Sequence, residues 1–156
     1  LRNHPCIVTW VLFNEGWGQF NARDAVRRVR AIDPTRPIDA TSGWFDQGCG
    51  DFVSEHNYFR KLRVHLPRGS SRAFVISEFG GLTWHVKGHS SFLEPYGYAG
   101  FTSLREWRRA VRALLDKVNA LEVKGLSGYV YTQLSDVEEE TNGLLSYDRR
   151  VNKLLL

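Results

Sequence analysis

Residues 7–13 read Ile-Val-Thr-Trp-Val-Leu-Phe, and Asn14-Glu15-Gly16-Trp17-Gly18 follow at once. A short, almost continuously apolar run rich in β-branched and aromatic residues predicts a strand buried on both faces, as in a parallel sheet. The glycines break it. Downstream, Asn21 stands where a helix cap belongs, with Asp24 three residues on. Ala22, Ala25, Val26, Val29 and Ile32 then recur at helical spacing until Asp33-Pro34 ends the pattern. Further strands are predicted at Ile38–Thr41, Phe52–Asn57, Ala73–Ser77 and Tyr129–Leu134. Ser103-Leu104-Arg105-Glu106 is a capping box that opens a second helix. Its apolar positions are Leu104, Trp107, Val111, Leu114, Val118 and Leu121, and Gly125 stops it. Three loops complete the chain: Ser42–Gly50, the long aromatic-rich Phe79–Thr102, and the acidic Ser135–Asn142. Strands alternating with helices or long crossovers give an α/β chain with a parallel sheet, either doubly wound or closed into a barrel.

The chain has 156 residues, the size of one domain, and no internal boundary is apparent. It is 42% hydrophobic and 13% aromatic, which excludes a disordered chain. No apolar run approaches the ~18–20 residues that a membrane span requires, so no membrane partner is expected. The chain contains no Met, even at position 1, and the expectation is a piece of a longer protein. The opening residues do not have the form of a signal peptide, and the compartment stays open. The net charge is +4, with arginines clustered at positions 23, 27, 28 and 30 and at 105, 108, 109 and 112. These read as the solvated faces of the two helices rather than as a nucleic-acid surface. Cys6 and Cys49 define neither a disulfide framework nor a metal site, and Cys6 reads as a small buried hydrophobe.

In parallel α/β folds the reactive groups gather at the carboxyl ends of the strands. Two strands end in a glutamate. Glu15 follows Phe13 by two residues, and Glu78 follows Ser77 directly; each precedes a Gly-containing loop. Facing carboxylates across a cleft are what glycoside hydrolysis requires, one as proton donor and the other as nucleophile or base. Trp17, Trp44, Tyr58, Trp84, Tyr96 and Tyr98 lie in or beside the same loops and offer aromatic planes for the C–H face of a pyranose. Asn14, His56 and Gln133 offer polar partners for sugar hydroxyls. Trp10 and Trp107 read as core residues instead.

Arg2-Asn3-His4-Pro5, the run Ile7–Phe13 and Asn14-Glu15-Gly16-Trp17-Gly18 together resemble the acid/base segment of glycoside hydrolase family 2. That family holds β-galactosidases, β-glucuronidases and β-mannosidases. Ser77-Glu78-Phe79-Gly80-Gly81 is similar to its nucleophile segment. Tyr129–Asp136, with Glu138 to Glu140 and Asn142-Gly143, resembles the last barrel strand and its loop in one subgroup.

The resemblance implies that residues 1–156 are the C-terminal portion of a catalytic (β/α)8 TIM barrel, approximately strands four to eight. Three further strands and β-sandwich domains would lie upstream. It implies Glu15 as general acid/base, Glu78 as nucleophile, Asn14 on the sugar 2-hydroxyl, and Tyr58 near the nucleophile. Retaining chemistry of this kind holds its carboxyl groups about 5–5.5 Å apart. Where many relatives carry a Trp at the end of the last strand, this chain reads Tyr131-Thr132-Gln133, so the glycone is left open. Arg60 and Lys61 could meet a uronate carboxylate.

The substrate implied is a β-glycoside, with no cofactor and no protein-built metal. His85 and His89 are four apart but form no H-E-x-x-H motif, the acidic loop lacks EF-hand spacing, and no G-x-S-x-G elbow occurs. A carbohydrate-binding homologue without turnover is the competing reading; both glutamate positions are filled, which argues against it.

Overall fold

The computed structural model describes residues 1–92, 94 and 96–155. Its elements are β1 (Trp10–Val11), α1 (Ala22–Ile32), β2 (Ile38–Asp39), β3 (Phe52–Asn57), β4 (Ala73–Gly80), β5 (Leu82–Thr83), β6 (Ala99–Gly100), α2 (Leu104–Asn119) and β7 (Leu126–Thr132). A 3-10 turn, Glu122–Lys124, links α2 to β7. Strands β1 and β2 pair in parallel, Trp10 against Ile38 and Val11 against Asp39. Strands β5 and β6 also pair in parallel, and β3, β4 and β7 form a sheet in that order.

The chain divides into two compact units. The first comprises Leu1–His56, Arg63–Ser77 and Glu122–Tyr129; the second comprises Asn57–Leu62, Glu78–Leu121 and Val130–Leu156. Strands β3, β4 and β7 each begin in the first unit and finish in the second.

The first unit packs around Ile38, Ala40, Val53, Phe74, Ile76 and Leu126, all buried. The C-terminal end of α1 is anchored on a buried acid, its C-cap Asp33. Asp33 accepts from Trp10 Nε1 at 3.0 Å and from Arg36 Nη1 at 2.6 Å. Its bonds to Thr35, with the Arg36 and Trp10 contacts, hold its carboxyl well below the usual range. Asn21 occupies the N-cap position of α1 in a left-handed conformation, φ 43°, and its side chain makes no cap bond. Its carbonyl instead accepts from the Asp24 and Ala25 amides.

The second unit packs around Phe79, Val86, Trp107, Val111, Val118 and Leu121. Helix α2 forms as its sequence requires. Ser103 accepts from the Glu106 amide, and three of the helix's apolar residues, Trp107, Val111 and Val118, are buried. The Trp107 indole donates to the Leu82 carbonyl at 2.8 Å, which satisfies its one polar atom.

Three expectations are corrected. The run Ile7–Phe13 is not buried on both faces. Only Trp10–Val11 is regular strand, and Val8 and Val11 are exposed, because β2 is the one strand paired with β1 among the described residues. Cys6 is exposed, since it lies in the turn before that strand rather than on it. Strand β4 does not end at Ser77 but continues through Glu78 to Gly80, so the glutamate sits within the strand. The long loop after it holds the short strands β5 and β6; Leu93 and Pro95 of that loop lie outside the described residues.

Candidate active site

In the first unit, the backbone beyond β1 is tied to the segment beyond β2. The Ser42 amide donates to the Phe13 carbonyl at 2.8 Å, and the Glu15 amide donates to the Ser42 carbonyl at 2.9 Å. This holds Glu15 in a left-handed backbone conformation, φ 53°, that favours glycine and costs of order 1–3 kcal/mol. Such strain persists only where surrounding contacts impose it, and the contact here is a histidine. His56, near the end of β3, places Nδ1 2.7 Å from Glu15 Oε1. Its side chain is completely buried, while that of Glu15 is 21% exposed. The His56 ring needs Gly43 beside it, because a Cβ at that position would lie 2.4 Å from the imidazole.

Behind His56 lies a polar cluster that the strand pattern gave no reason to expect. His56 Nε2 is 3.0 Å from Ser42 Oγ. Ser42 Oγ is 3.1 Å from Ser77 Oγ, and Ser54 Oγ is 2.5 Å from Ser77 Oγ. Asp39 is buried, with the Ser54 and Ser42 hydroxyls and the Thr41 amide nearby. Burial pushes its carboxyl pKa up, and these neighbours and His56 offset only part of that rise.

In the second unit, Tyr58 follows β3 and Glu78 lies in β4. Tyr58 Oη donates to Glu78 Oε2 at 2.6 Å and lies 3.1 Å from Thr132 Oγ1. Burial, followed by the Glu78 contact, raises the phenol pKa well above its ordinary value. The Tyr58 ring stacks on Tyr98, centroids 4.3 Å apart and planes 14° from parallel. Gly81, at φ 67°, is what permits this stack, since a Cβ there would come within 2.3 Å of the Tyr98 ring.

The other candidates are placed as follows. Asn14 is exposed and bridges to Ser42 through its backbone. Trp17 is 79% exposed and Trp44 46% exposed, so both offer free aromatic planes. His56, expected to meet sugar hydroxyls, has both ring nitrogens engaged by protein and no exposed side-chain surface. Trp84 packs near Trp107, ring centroids 6.5 Å apart, and Gln133 Nε2 donates to Glu140 Oε2 at 3.0 Å and to Asn142 Oδ1 at 2.7 Å. Among the described residues, neither unit taken by itself gathers three His, Cys, Asp or Glu side chains at metal-ligand spacing. The same holds for helices: among the described residues none is long and apolar enough to cross a membrane.

Residues 1–74 match the family model described as glycosyl hydrolases family 2, TIM barrel domain. A β-galactosidase of Klebsiella pneumoniae is 36% identical over 52 residues, which is 33% of this chain and 5% of that protein. A β-galactosidase of Yersinia enterocolitica is 42% identical over 53 residues, again 33% and 5%. Two crystal structures of a GH2 β-galacturonidase from Eisenbergiella tayi superpose on 97% of this chain and use 32% of their own. They have TM-scores of 0.64 with glycerol bound, at 20% identity, and 0.66 with galacturonate bound, at 19% identity. The chain thus covers less than a third of those solved chains and a far smaller share of the two galactosidases. At this identity the structural likeness is one of fold: an α/β fold that is part of a TIM barrel.

Proposed function

We propose that the chain is part of a glycoside hydrolase of family 2 and that it supplies both reacting carboxylates of a β-glycosidase. Glu15 is the general acid/base and Glu78 the nucleophile, on the fourth and seventh strands of a barrel of which this chain carries strands four to eight. The observation that carries the reading is that each glutamate is held by a hydrogen-bonding partner, His56 for Glu15 and Tyr58 for Glu78. The two partners suit different tasks. An imidazole can exchange a proton with Glu15, whereas a phenol whose pKa is raised keeps its proton and only donates, which suits a carboxylate that must stay ionised to attack.

The reaction is a retaining double displacement. Glu15 protonates the glycosidic oxygen while Glu78 attacks the anomeric carbon, and the aglycone leaves. Glu15, now ionised, takes a proton from water, whose oxygen displaces Glu78 from the sugar. Asn14, exposed beside Glu15, is assigned to the 2-hydroxyl, and Trp17 and Trp44 to sugar faces. The relatives named for galactosides and galacturonides point to a galacto-configured glycone, neutral or carrying a uronate.

The test is made in the full-length protein with nitrophenyl β-glycosides of galactose, galacturonic acid, glucuronic acid and mannose. Glu15→Gln is expected to lower kcat/KM by roughly 10²–10⁴-fold, least for the most activated leaving groups. Glu78→Gln is expected to abolish turnover with every leaving group. Unchanged hydrolysis in both variants rejects the assignment.

A further inference from the structure

We propose that Phe45 is the platform of an aglycone subsite, its ring carrying the first ring of the leaving group that Glu15 protonates, an aryl group or a second pyranose. The inference rests on the acid/base role given to Glu15 above. Every residue it uses lies in the first compact unit.

Phe45 is an unfavourable residue where it stands. Its backbone is left-handed, φ 56°, a conformation that favours glycine and is an outlier for a bulky side chain. Core packing does not offset this, because the residue is 67% exposed. A glycine would relieve the backbone, and a polar side chain would suit the solvent. Folding therefore gives no reason for a phenyl ring at this position, and a ligand does.

The ring is also held in place. It packs on Gly16, where a Cβ would lie 2.6 Å from Phe45 Cδ2, and Gly16 is itself left-handed at φ 78°. The Phe45 carbonyl accepts from Gln19 Nε2 at 3.1 Å and from Gln47 Nε2 at 2.9 Å. One residue on, the Asp46 carboxylate accepts from Arg72 Nη1 at 2.8 Å and from Nη2 at 2.6 Å. Arg72 Nη1 donates further to the Cys49 and Phe52 carbonyls, at 3.1 and 2.9 Å. At the start of the same loop, the Ser42 carbonyl accepts from the Glu15 amide. The loop is thus fixed to the backbone of the acid itself. A ring ordered in advance loses little freedom when a ligand stacks on it.

Position and chemistry together name the ligand. An acid must reach the glycosidic oxygen within hydrogen-bond distance, so the first ring of the leaving group lies just beyond the Glu15 carboxyl. Phe45 rests on the residue that follows Glu15 in the chain. A phenyl ring has no polar atom and cannot read hydroxyls. It suits a group recognised by its face alone, the π face of an aryl or the C–H face of a pyranose. The glycone, whose configuration must be read through its hydroxyls, is left to Asn14 and other polar groups.

The test compares, in the full-length protein, substrates that share one glycone and differ in the leaving group. These are a nitrophenyl β-glycoside, a β-linked disaccharide and the β-glycosyl fluoride, whose leaving group has no ring to stack. The readout is the ratio of kcat/KM for each ringed substrate to kcat/KM for the fluoride. Phe45→Ala is expected to lower both ratios about tenfold, the size of one aromatic stacking contact. The effect falls on kcat/KM, which reports the steps up to departure of the aglycone. Phe45→Trp keeps a plane and should hold the ratios at or above those of the parent. Phe45→Gly removes the ring and the strain together. It should unfold at a higher temperature than Phe45→Ala, yet lower the ratios as far.

A fall in the nitrophenyl ratio alone identifies an aryl leaving group, and a fall in the disaccharide ratio alone identifies a sugar; either supports the subsite. Ratios unmoved in Phe45→Ala or in Phe45→Gly overturn it, whether all rates fall together, as a merely structural loop requires, or none falls. Glu15→Gln separates the two levels. If it retains full turnover of the nitrophenyl glycoside, the acid/base reading falls and the subsite falls with it. If it loses turnover while the ratios stay fixed in the Phe45 variants, only the subsite is rejected.

Discussion

Tyr58 donates to Glu78 at 2.6 Å, and burial together with that carboxylate raises the phenol pKa, so the proton stays on the tyrosine. A hydrogen bond to a charged group contributes about 1.5–3 kcal/mol. Tyr58→Phe is therefore expected to lower kcat/KM by roughly 10–100-fold while its ring keeps the stack on Tyr98. Steady-state kinetics on nitrophenyl glycosides check this, and a rate equal to that of the parent would show that Glu78 needs no such donor. Glu15 and Glu78 stand out in the sequence because each closely follows an apolar run, and Tyr58 because it follows the predicted strand Phe52–Asn57. His56 was legible as a polar residue near a strand end, but its role was misjudged: it faces Glu15 and Ser42 rather than solvent. Asp39, Ser42, Ser54 and Ser77 carried no signal. They come from three strand segments and meet only on folding, and a buried serine follows no periodicity.

At the scale of elements, β3 and α2 follow their local sequence closely, because a six-residue apolar-edged strand and a capped amphipathic helix are determined by neighbours in the chain. Strand β7 was less legible: it runs Leu126–Thr132, earlier than the expected Tyr129–Leu134, since pairing with β4 decides where a strand begins. The C-terminal segment was not legible at all. Lys153 Nζ donates to Asp136 Oδ1 at 2.6 Å and to the Thr141 carbonyl at 3.0 Å, with both side chains of the ion pair completely buried. Burial raises the Asp136 carboxyl and lowers the Lys153 amine, and their mutual contact opposes both shifts. Removing one partner leaves an uncompensated buried charge. Lys153→Met is expected to destabilise this unit by about 3–5 kcal/mol at neutral pH. The sign of its pH dependence follows from Asp136. With its folded pKa raised, the carboxyl is tolerated when protonated and costs most when ionised, so the loss should shrink on acidification and grow as pH rises. Denaturant unfolding of the parent and the variant at pH 5 and pH 8 tests this, and equal losses at both values would contradict it.

For the molecule as a whole, the decisive feature is strand edge that no other strand among the described residues pairs with. Strand β1 has β2 as its sole strand partner among the described residues, and β7 is the last strand of its sheet. Val8 and Val11 beside the first edge, and Tyr129 and Val130 on the second, are exposed. Fully burying one such side chain stabilises by about 1.5–3 kcal/mol, and unpaired backbone groups along an edge template pairing with another chain. On the proposed function the chain carries strands four to eight of a barrel, and the strands that complete it are expected to pair with these edges. The 156 residues on their own are then expected to self-associate and to lack glycosidase activity. Light scattering coupled to size exclusion should report species larger than the monomer, growing with concentration. A lysine at Val11 and at Val130, placed on the two exposed edges, should reduce that association without restoring turnover, because charge on an edge strand opposes pairing but supplies no missing strand. A monodisperse monomer that hydrolyses nitrophenyl glycosides would mean that these edges need no cover and that the chemistry is complete without the remaining strands.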